Sequence, residues 1–425
     1  MKSTERNIEA PKYSIIVPTF NGVEYLPTCI TSIISQGYSD YELIISDDHS
    51  VDGTKEYLRS LSNPKIRITG PLEHLSMTEH WEWALEQAKG EWCIFVGQDD
   101  GLQPYFFQLA DKLTEKANEL EIRSIAASRA YFFWDGCQRI YGNLAVSYFA
   151  TNKIKVLNSK FQAAKALFGI QDYFELPQMY TTSLFKVEIL KEARLKQNGK
   201  VFLSHPQDAN LAAIACSLEN HYLKSYIPLG WVGSSPKSAG MAIASSSFGN
   251  ETNDAINSLT NSYLQKIANS PIDYNRSAGD FKLDSSEIYF WQALLGSKAL
   301  LPQRLTQILN SKLFKYIVFG SALKSISFKS GGSNFQNDRS RYFSEILEIN
   351  NCNTYLVRLS SVLVGGLQFA NHFKMKASRL VAKLISIFLN RSIKYEVFWK
   401  ETTSTSMQEA SNFTSDEITR KAWLA

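Results

Sequence analysis

The stretch YSIIVPTFNGVEYLPTCITSIISQGYSDYELIISDD, residues 13–48, decides the fold. It opens and closes on short runs, YSIIVPTF (13–20) and YELIISDD (41–48), that are mostly apolar, as strands buried on both faces are. Between them VEYLPTCITSIISQ repeats its apolar residues every three or four positions, which is the helical period. Strand, helix and strand in that order predict two parallel strands joined by a right-handed crossover.

The alternation continues outward. KIRITG (65–70) and EWCIFVG (91–97) read as two more strands, with helices in VDGTKEYLRSLS and SMTEHWEWALEQA. PYFFQLADKLTEKANELE (104–121) reads as a further helix and SIAASRAYFFW (124–134) as one strand. Beyond a weaker stretch come a helix at 207–220, an apolar strand YLKSYIPLGWVG and a loop GSSPKSAG (233–240). Residues 246–285 read as a linker or flexible loop, 286–400 as helical and basic, and 1–12 and 401–425 as polar tails. The expected class is α/β: a mostly parallel sheet flanked by helices, with a helical C-terminal extension.

Composition supports a packed core, because 425 residues with 44% hydrophobic and 20% charged side chains do not describe a disordered chain. The five cysteines are scattered and lack C-x-x-C spacing, so neither a disulfide framework nor a zinc site is expected, and a reducing cytoplasm is. No signal-peptide pattern and no uninterrupted apolar run of spanning length occurs, so neither export nor membrane spanning is expected. The net charge of +4 is uneven: residues 301–400 hold 15 Lys/Arg against 4 Asp/Glu. Lys374, Lys376, Arg379, Lys383, Arg391 and Lys394 lie on an amphipathic pattern that suits either the inner-membrane surface or a helix packed with its basic face in water. No nucleic-acid-binding motif accompanies the charge.

In a parallel sheet, ligands bind beyond the carboxyl ends of the strands. Those ends here are PTFN (18–21), DDHSVDGT (47–54) and QDDG (98–101). Adjacent carboxylates repel unless a cation or several donors relieve them, and oxygen ligands favour Mg²⁺ or Mn²⁺ beside a substrate diphosphate. A single pair can equally cap a helix, and Asp52, opening D-G-T-K, is read that way. Neither a G-x-x-x-x-G-K-[ST] loop nor a G-x-G-x-x-G turn is present to cradle phosphate.

The blocks SIIVPTFNGVEYLPTCITSIISQGYSDYELIISDDHSVDGT and AKGEWCIFVGQDD resemble, over roughly residues 13–110, the nucleotide-binding half of family 2 inverting glycosyltransferases with the GT-A fold. The resemblance implies a catalytic domain over 13–245, with an acceptor half over 111–245. It places Pro18, Thr19 and Asn21 against the nucleotide, Asp48 on a uracil-type base with Asp47 beside it, Asp99 near the ribose, and Asp100 on the Mn²⁺ or Mg²⁺ that bridges to the diphosphate. The chain departs from the family's pattern at Gly97, where many members carry another aspartate. It departs again in the segment leading into the third helix, where an arginine is common and this chain has Glu79 and His80. His80 is either a replacement contact or a packed structural residue.

Inverting transfer also needs a carboxylate to deprotonate the acceptor hydroxyl. By its place at a helix start in FLSHPQDANLAAIA, Asp208 is the expected base, with Glu175 and then Asp172 as competitors. Tyr180 and Thr181 are expected at the acceptor, and Lys237 on a loop closing over the leaving diphosphate. The activity so implied is transfer from a nucleotide-diphosphate sugar, with UDP-sugar favoured, to a saccharide or lipid-linked saccharide in surface-polysaccharide synthesis. The alternatives are a sugar nucleotidyltransferase and a degenerate, non-catalytic binding protein.

Overall fold

A computed structural model describes residues 10–137, 147–148, 152–204, 206–238, 285–328, 344, 347–348, 351–368, 406–420 and 424. The first hundred residues alternate as the periodicity predicts: β1 Tyr13–Thr19, α1 Leu26–Ile34, β2 Tyr41–Asp47, α2 Thr54–Ser60, β3 Ile66–Thr69, α3 Met77–Glu86 and β4 Trp92–Phe95. β1 pairs in parallel with β2 on one side and β4 on the other, and β2 pairs in parallel with β3. Every residue of β1 is buried, which explains its lack of alternation.

A short β5 (Gly101–Leu102) and α4 (Phe106–Glu119) follow, then β6 Ser124–Ala126, β7 Ala130–Phe133, β8 Ser147–Tyr148, β9 Ile154–Asn158 and α5 Ser159–Leu167. The α/β part of the chain is completed by β10 Ser183–Lys186, α6 Val187–Lys196, α7 Gln207–Leu218, β11 His221–Ser225 and β12 Gly230–Ser234. The main sheet has the order β3-β2-β1-β4-β10-β6-β11-β9, and a second, small sheet has the order β5-β12-β7-β8.

The two segments read above as single strands each divide. Residues 124–126 pair in parallel with β11 in the main sheet, whereas 130–133 pair in parallel with β12 in the small one. Two chain segments therefore leave one sheet side by side and enter the other. Pro228, which has no N–H to give a ladder, falls between β11 and β12.

The main sheet has a core on each face. Ile15, Val17, Leu43, Ile45 and Ile94 pack with α1 and α4. Ile16, Ile44, Cys93 and Phe95 pack with α3, α6 and the Leu211/Ile214 side of α7. Ser76 and Glu79 form a reciprocal capping box at the start of α3, so Glu79 is spent on ending the chain's turn into the helix. All five cysteines are free.

Of the C-terminal region, α8 Ser286–Gly296, α9 Gln303–Leu309 and α10 Lys312–Phe328 are helical as expected, as are residues 354–368. α8 lies on α7, with Asn210 Nδ2 donating to Ser297 Oγ at 2.9 Å, so these helices share a core with the α/β part of the chain. The six basic residues from Lys374 to Lys394 and nearly all of the expected linker lie outside the described residues. Among the described residues no helix is long and apolar enough to cross a membrane. The expected polar tail departs from the sequence reading: Met407–Arg420 forms a helix, α11, whose Met407, Ala410, Ser411, Thr414 and Ile418 are buried. Its buried stripe is mostly small and polar, which is why hydrophobicity did not reveal it.

Candidate active site

The carboxyl ends of β1, β2 and β4 converge. Thr19 Oγ1 donates to Gln98 Oε1 at 2.7 Å, and Phe20 N donates to the same oxygen at 3.0 Å, joining the first turn to the acidic loop. Asn21 has a left-handed φ of 50° and accepts from Val51 N at 2.9 Å, bracing the turn against the loop after β2. The amides of Asn21, Gly22 and Val23 are all engaged, by Ser50, Thr54 and Asp52. A turn whose N–H groups are spent internally cannot cradle phosphate as a nucleotidyltransferase loop would. Asp52 also accepts from Thr54 N, the helix-start role expected for it. Pro18 sits in β1 opposite Ser46 of β2.

Asp47 and Asp48 part company. Asp48 is 2% exposed and meets His74 Nδ1 at 2.9 Å and Leu75 N at 3.1 Å. His74 in turn lies against Phe20, ring centres 5.0 Å apart, and Phe20 is 45% exposed. An exposed aromatic face beside a carboxylate and an imidazole suits a flat, hydrogen-bonding base. Asp47 instead lines a separate hollow with Lys55, Arg59, Thr69 and Pro71, and its Oδ1 has no hydrogen-bond partner. Asp47 ends β2 and Asp48 follows it, and both charges act on the buried His80 ring.

His80 resolves to the structural alternative. Its Nε2 is 2.7 Å from Ser46 Oγ inside the protein, and burial pushes its pKa down, so the ring is held neutral. The histidine that lines the cleft is His74, in the loop between β3 and α3. Sequence reading passed over it, although this is the segment in which a cationic residue was sought.

The acidic pair also divides. Asp100 is 2% exposed, and both of its oxygens accept backbone amides: Oδ2 from Gly97 at 2.7 Å, Oδ1 from Gly233 at 2.7 Å. It bolts the loop to β12. Asp99 is half-buried, accepting from Ser235 Oγ at 2.7 Å, while its carbonyl accepts from Trp134 Nε1 at 2.7 Å. Burial raises the pKa of both, and with the neighbouring Asp99 charge Asp100 is pushed up to about 8. The pair as it stands favours holding a proton, and a cation would relieve the same repulsion. Gly97 leaves room for these groups, since a methyl there would lie 3.0 Å from Asp100 Oδ2.

Asp208 lies in the first turn of α7, 7% exposed. Tyr173 Oη bonds its two oxygens at 3.1 Å each, and Ala209 N donates to Oδ1 at 2.8 Å. Burial raises its pKa, and the Arg129 charge opposes the rise. Its competitors are engaged elsewhere. Glu175 pairs with the buried Lys224 at 2.9 Å, which lowers its pKa and makes it a weak base. Asp172 caps a short turn by accepting from Phe174 N at 3.0 Å.

Tyr180 links the two halves. Its φ of 67° is left-handed, a strained value for a tyrosine. Its ring stands edge-on to Trp81 at 6.0 Å, and after burial the charges of Asp208, Asp100 and Asp99 raise its hydroxyl pKa, so all three carboxylates act on one spot. Thr181 is buried beneath it. Lys237 lies 3.5 Å from Glu24 and over the Tyr25 ring. Among the described residues no group of three or more His, Cys, Asp or Glu could hold a metal unaided. Arg129, stacked 3.7 Å from the Phe174 ring centre, is a further cation of the site that the sequence reading missed.

Comparison with known proteins gives a match to the sequence pattern described as Glycosyl transferase family 2 over residues 14–175. A Campylobacter jejuni protein, GalNAc(5)-diNAcBac-PP-undecaprenol beta-1,3-glucosyltransferase, is 38% identical over 112 residues, 26% of this chain and 35% of that one. A Mycobacterium bovis PGL/p-HBAD biosynthesis glycosyltransferase is 33% identical over 100 residues, 22% of this chain and 37% of that one. The chain thus spans about a third of the length of these relatives. Among solved structures, S. aureus TarS 1–349 in complex with UDP-GlcNAc aligns over 79% of this chain and 92% of its own, at 15% identity and a TM-score of 0.44.

Proposed function

We propose that this chain, whose residues 14–175 match the pattern described as Glycosyl transferase family 2, transfers a sugar, with inversion, from a UDP-sugar to a saccharide or lipid-linked saccharide acceptor. The observation that carries the proposal is the buried Asp208, oriented by Tyr173 and sharing the Tyr180 environment with the acidic pair at the end of the central strand.

In this reading the base lies against Phe20 with Asp48 and His74 at its polar edge. Asp99, the more exposed of the pair, faces the donor and would hold Mn²⁺ or Mg²⁺, while Asp100 positions the loop. This exchanges the metal-ligand role expected of Asp100, because a carboxylate with both oxygens on backbone amides is already committed. An adjacent, oxygen-only donor set fits a hard cation that completes its shell with diphosphate oxygens. A bound cation would neutralise charge building on the departing diphosphate. Asp208 takes the proton of the acceptor hydroxyl as that oxygen attacks the anomeric carbon from the opposite face. A membrane-surface acceptor agrees with the basic excess of residues 301–400.

Calorimetric titration with UDP and Mn²⁺ tests the site. Asp99→Asn is expected to abolish the cation-dependent part of binding with little change in melting temperature. Asp100→Asn is expected to lower the melting temperature, since an amide placed there offers one acceptor where two donors arrive, at a cost of about 1–3 kcal/mol. The reverse pattern would return the metal to Asp100.

The two histidines separate in the same way. His74→Ala is expected to weaken UDP binding by about ten-fold, the worth of one contact. His80→Ala leaves UDP affinity near wild type but costs about 1–3 kcal/mol of stability through the unpaired Ser46 hydroxyl and the lost packing. Equal UDP affinity in the His74 variant would remove that ring from the site.

A further inference from the structure

Helix α11 reaches the acidic loop from behind. Met407, 2% exposed, seats against Gly101, the residue that follows Asp100. Thr414 Oγ1 donates to Gln103 Oε1 at 2.7 Å, and Gln103 N donates to Leu229 O at 3.0 Å. Ser411 Oγ accepts from Trp231 Nε1 at 2.8 Å, and Trp231 stands two residues before Gly233, whose amide holds Asp100. Ala410, fully buried, packs with Ala130, Phe132 and Trp231 of the small sheet. The helix therefore touches both β5, which follows Asp100 directly, and β12, whose Gly233 amide holds Asp100.

We infer that α11 is the rear wall of the donor site: by fixing β5 and β12 relative to each other it sets where Asp99 stands, an inference that rests on the proposed role of Asp99. Two strands of two and five residues carry little register information of their own. They are paired to each other at only two positions. Besides Ser32 of α1, which accepts from Leu102 N, α11 braces them: it hydrogen-bonds to Trp231 of β12 and to Gln103, the residue that follows β5. The buried hydroxyls of Ser411 and Thr414 make that contact specific, since a helix displaced from them leaves polar groups of Trp231 and Gln103 unpaired in the interior.

The test uses the full chain. Ala410→Glu places a charge at a fully buried helix position and is expected to displace α11. Amide hydrogen exchange should then rise at residues 97–103 and 230–235 but not in β1 or β2, and the dissociation constant for UDP with Mn²⁺ should rise about ten-fold, while binding without the cation stays unchanged. Thr414→Val removes the hydroxyl and keeps the shape, so it should show the same direction with a smaller size, and Thr414→Ser should restore wild-type behaviour. This second pair decides the matter where Ala410→Glu fails to fold. Unchanged exchange in the acidic loop, or unchanged cation-dependent affinity in a chain whose helix is displaced, would overturn the inference. A wild-type chain that binds no UDP would overturn the reading of the site instead, and the exchange pattern would still decide whether α11 fixes the loop.

Discussion

Replacing Asp208 with asparagine is expected to lower sugar transfer by about 10²–10⁴-fold, the usual worth of a positioned base, with UDP binding intact. Asparagine has the same shape, and its carbonyl oxygen can still accept from Tyr173, so what is lost is the capacity to take a proton. The pH profile supplies the second readout. Burial raises the Asp208 pKa, so the group carries a proton at a pH where an ordinary carboxylate has lost it. Wild-type activity should therefore climb with pH through a value above the usual carboxylate range, and that limb should be absent from the residual activity of the variant. Near-normal transfer by Asp208→Asn would exclude it as the base, and Glu175, held ionised by Lys224, would be the next to test.

Gly233→Ala is expected to be almost as damaging, although it touches no substrate. A methyl at Gly233 would overlap the Asp99 carbonyl oxygen and lie 2.5 Å from its carbonyl carbon, and neither is the tip of a flexible side chain. The strands must separate, which breaks the Gly233 amide's bond to Asp100 and moves Asp99. Overpacking of this kind costs about 1–3 kcal/mol, and an ångström of displacement at a reacting centre costs about 100-fold in rate. Lower melting temperature, lost cation-dependent UDP binding and transfer reduced by about 100-fold are expected together. Gly366→Ala serves as the control: nothing lies within 4 Å of a methyl there. It sits among helical residues, so it should leave binding unchanged and stability equal or slightly higher. A Gly233→Ala chain with wild-type affinity would show that the loop tolerates displacement.

The first hundred residues were legible because their signals are local. Apolar runs without alternation gave β1, β2 and β4, a three-to-four period gave α1 and α3, and the change from apolar to acidic marked the crevice. The place of Asp208 in the first turn of a helix was legible. Adjacent Asp99 and Asp100 were not separable, because they are the same residue type and differ only in which amides they meet. One of those amides, from Gly233, arrives from 133 positions away. The surroundings of Asp47 were not legible for the same reason: proximity in sequence does not tell which face of a strand end a side chain takes. His74 lay in an irregular loop with no period to place it, whereas His80 stood on a recognisable helix and drew attention for that. The division of 124–134 and 222–233 between two sheets was hidden because both halves of each segment are equally apolar, and only their pairing partners tell them apart.

The hydrogen bond between Gln103 and Thr414 spans 311 positions of the chain. A growing polypeptide emerges in order, so β1 through β4 can close their sheet long before residue 414 leaves the ribosome. During that interval the acidic loop stands without its backing, and the nascent chain holds the parallel sheet but not the packing of α11 on Gly101 and Trp231. The packing of the acidic loop is in this sense an end-of-synthesis property: a chain cut short after residue 328 keeps the strands of both sheets and lacks the helix that backs the loop.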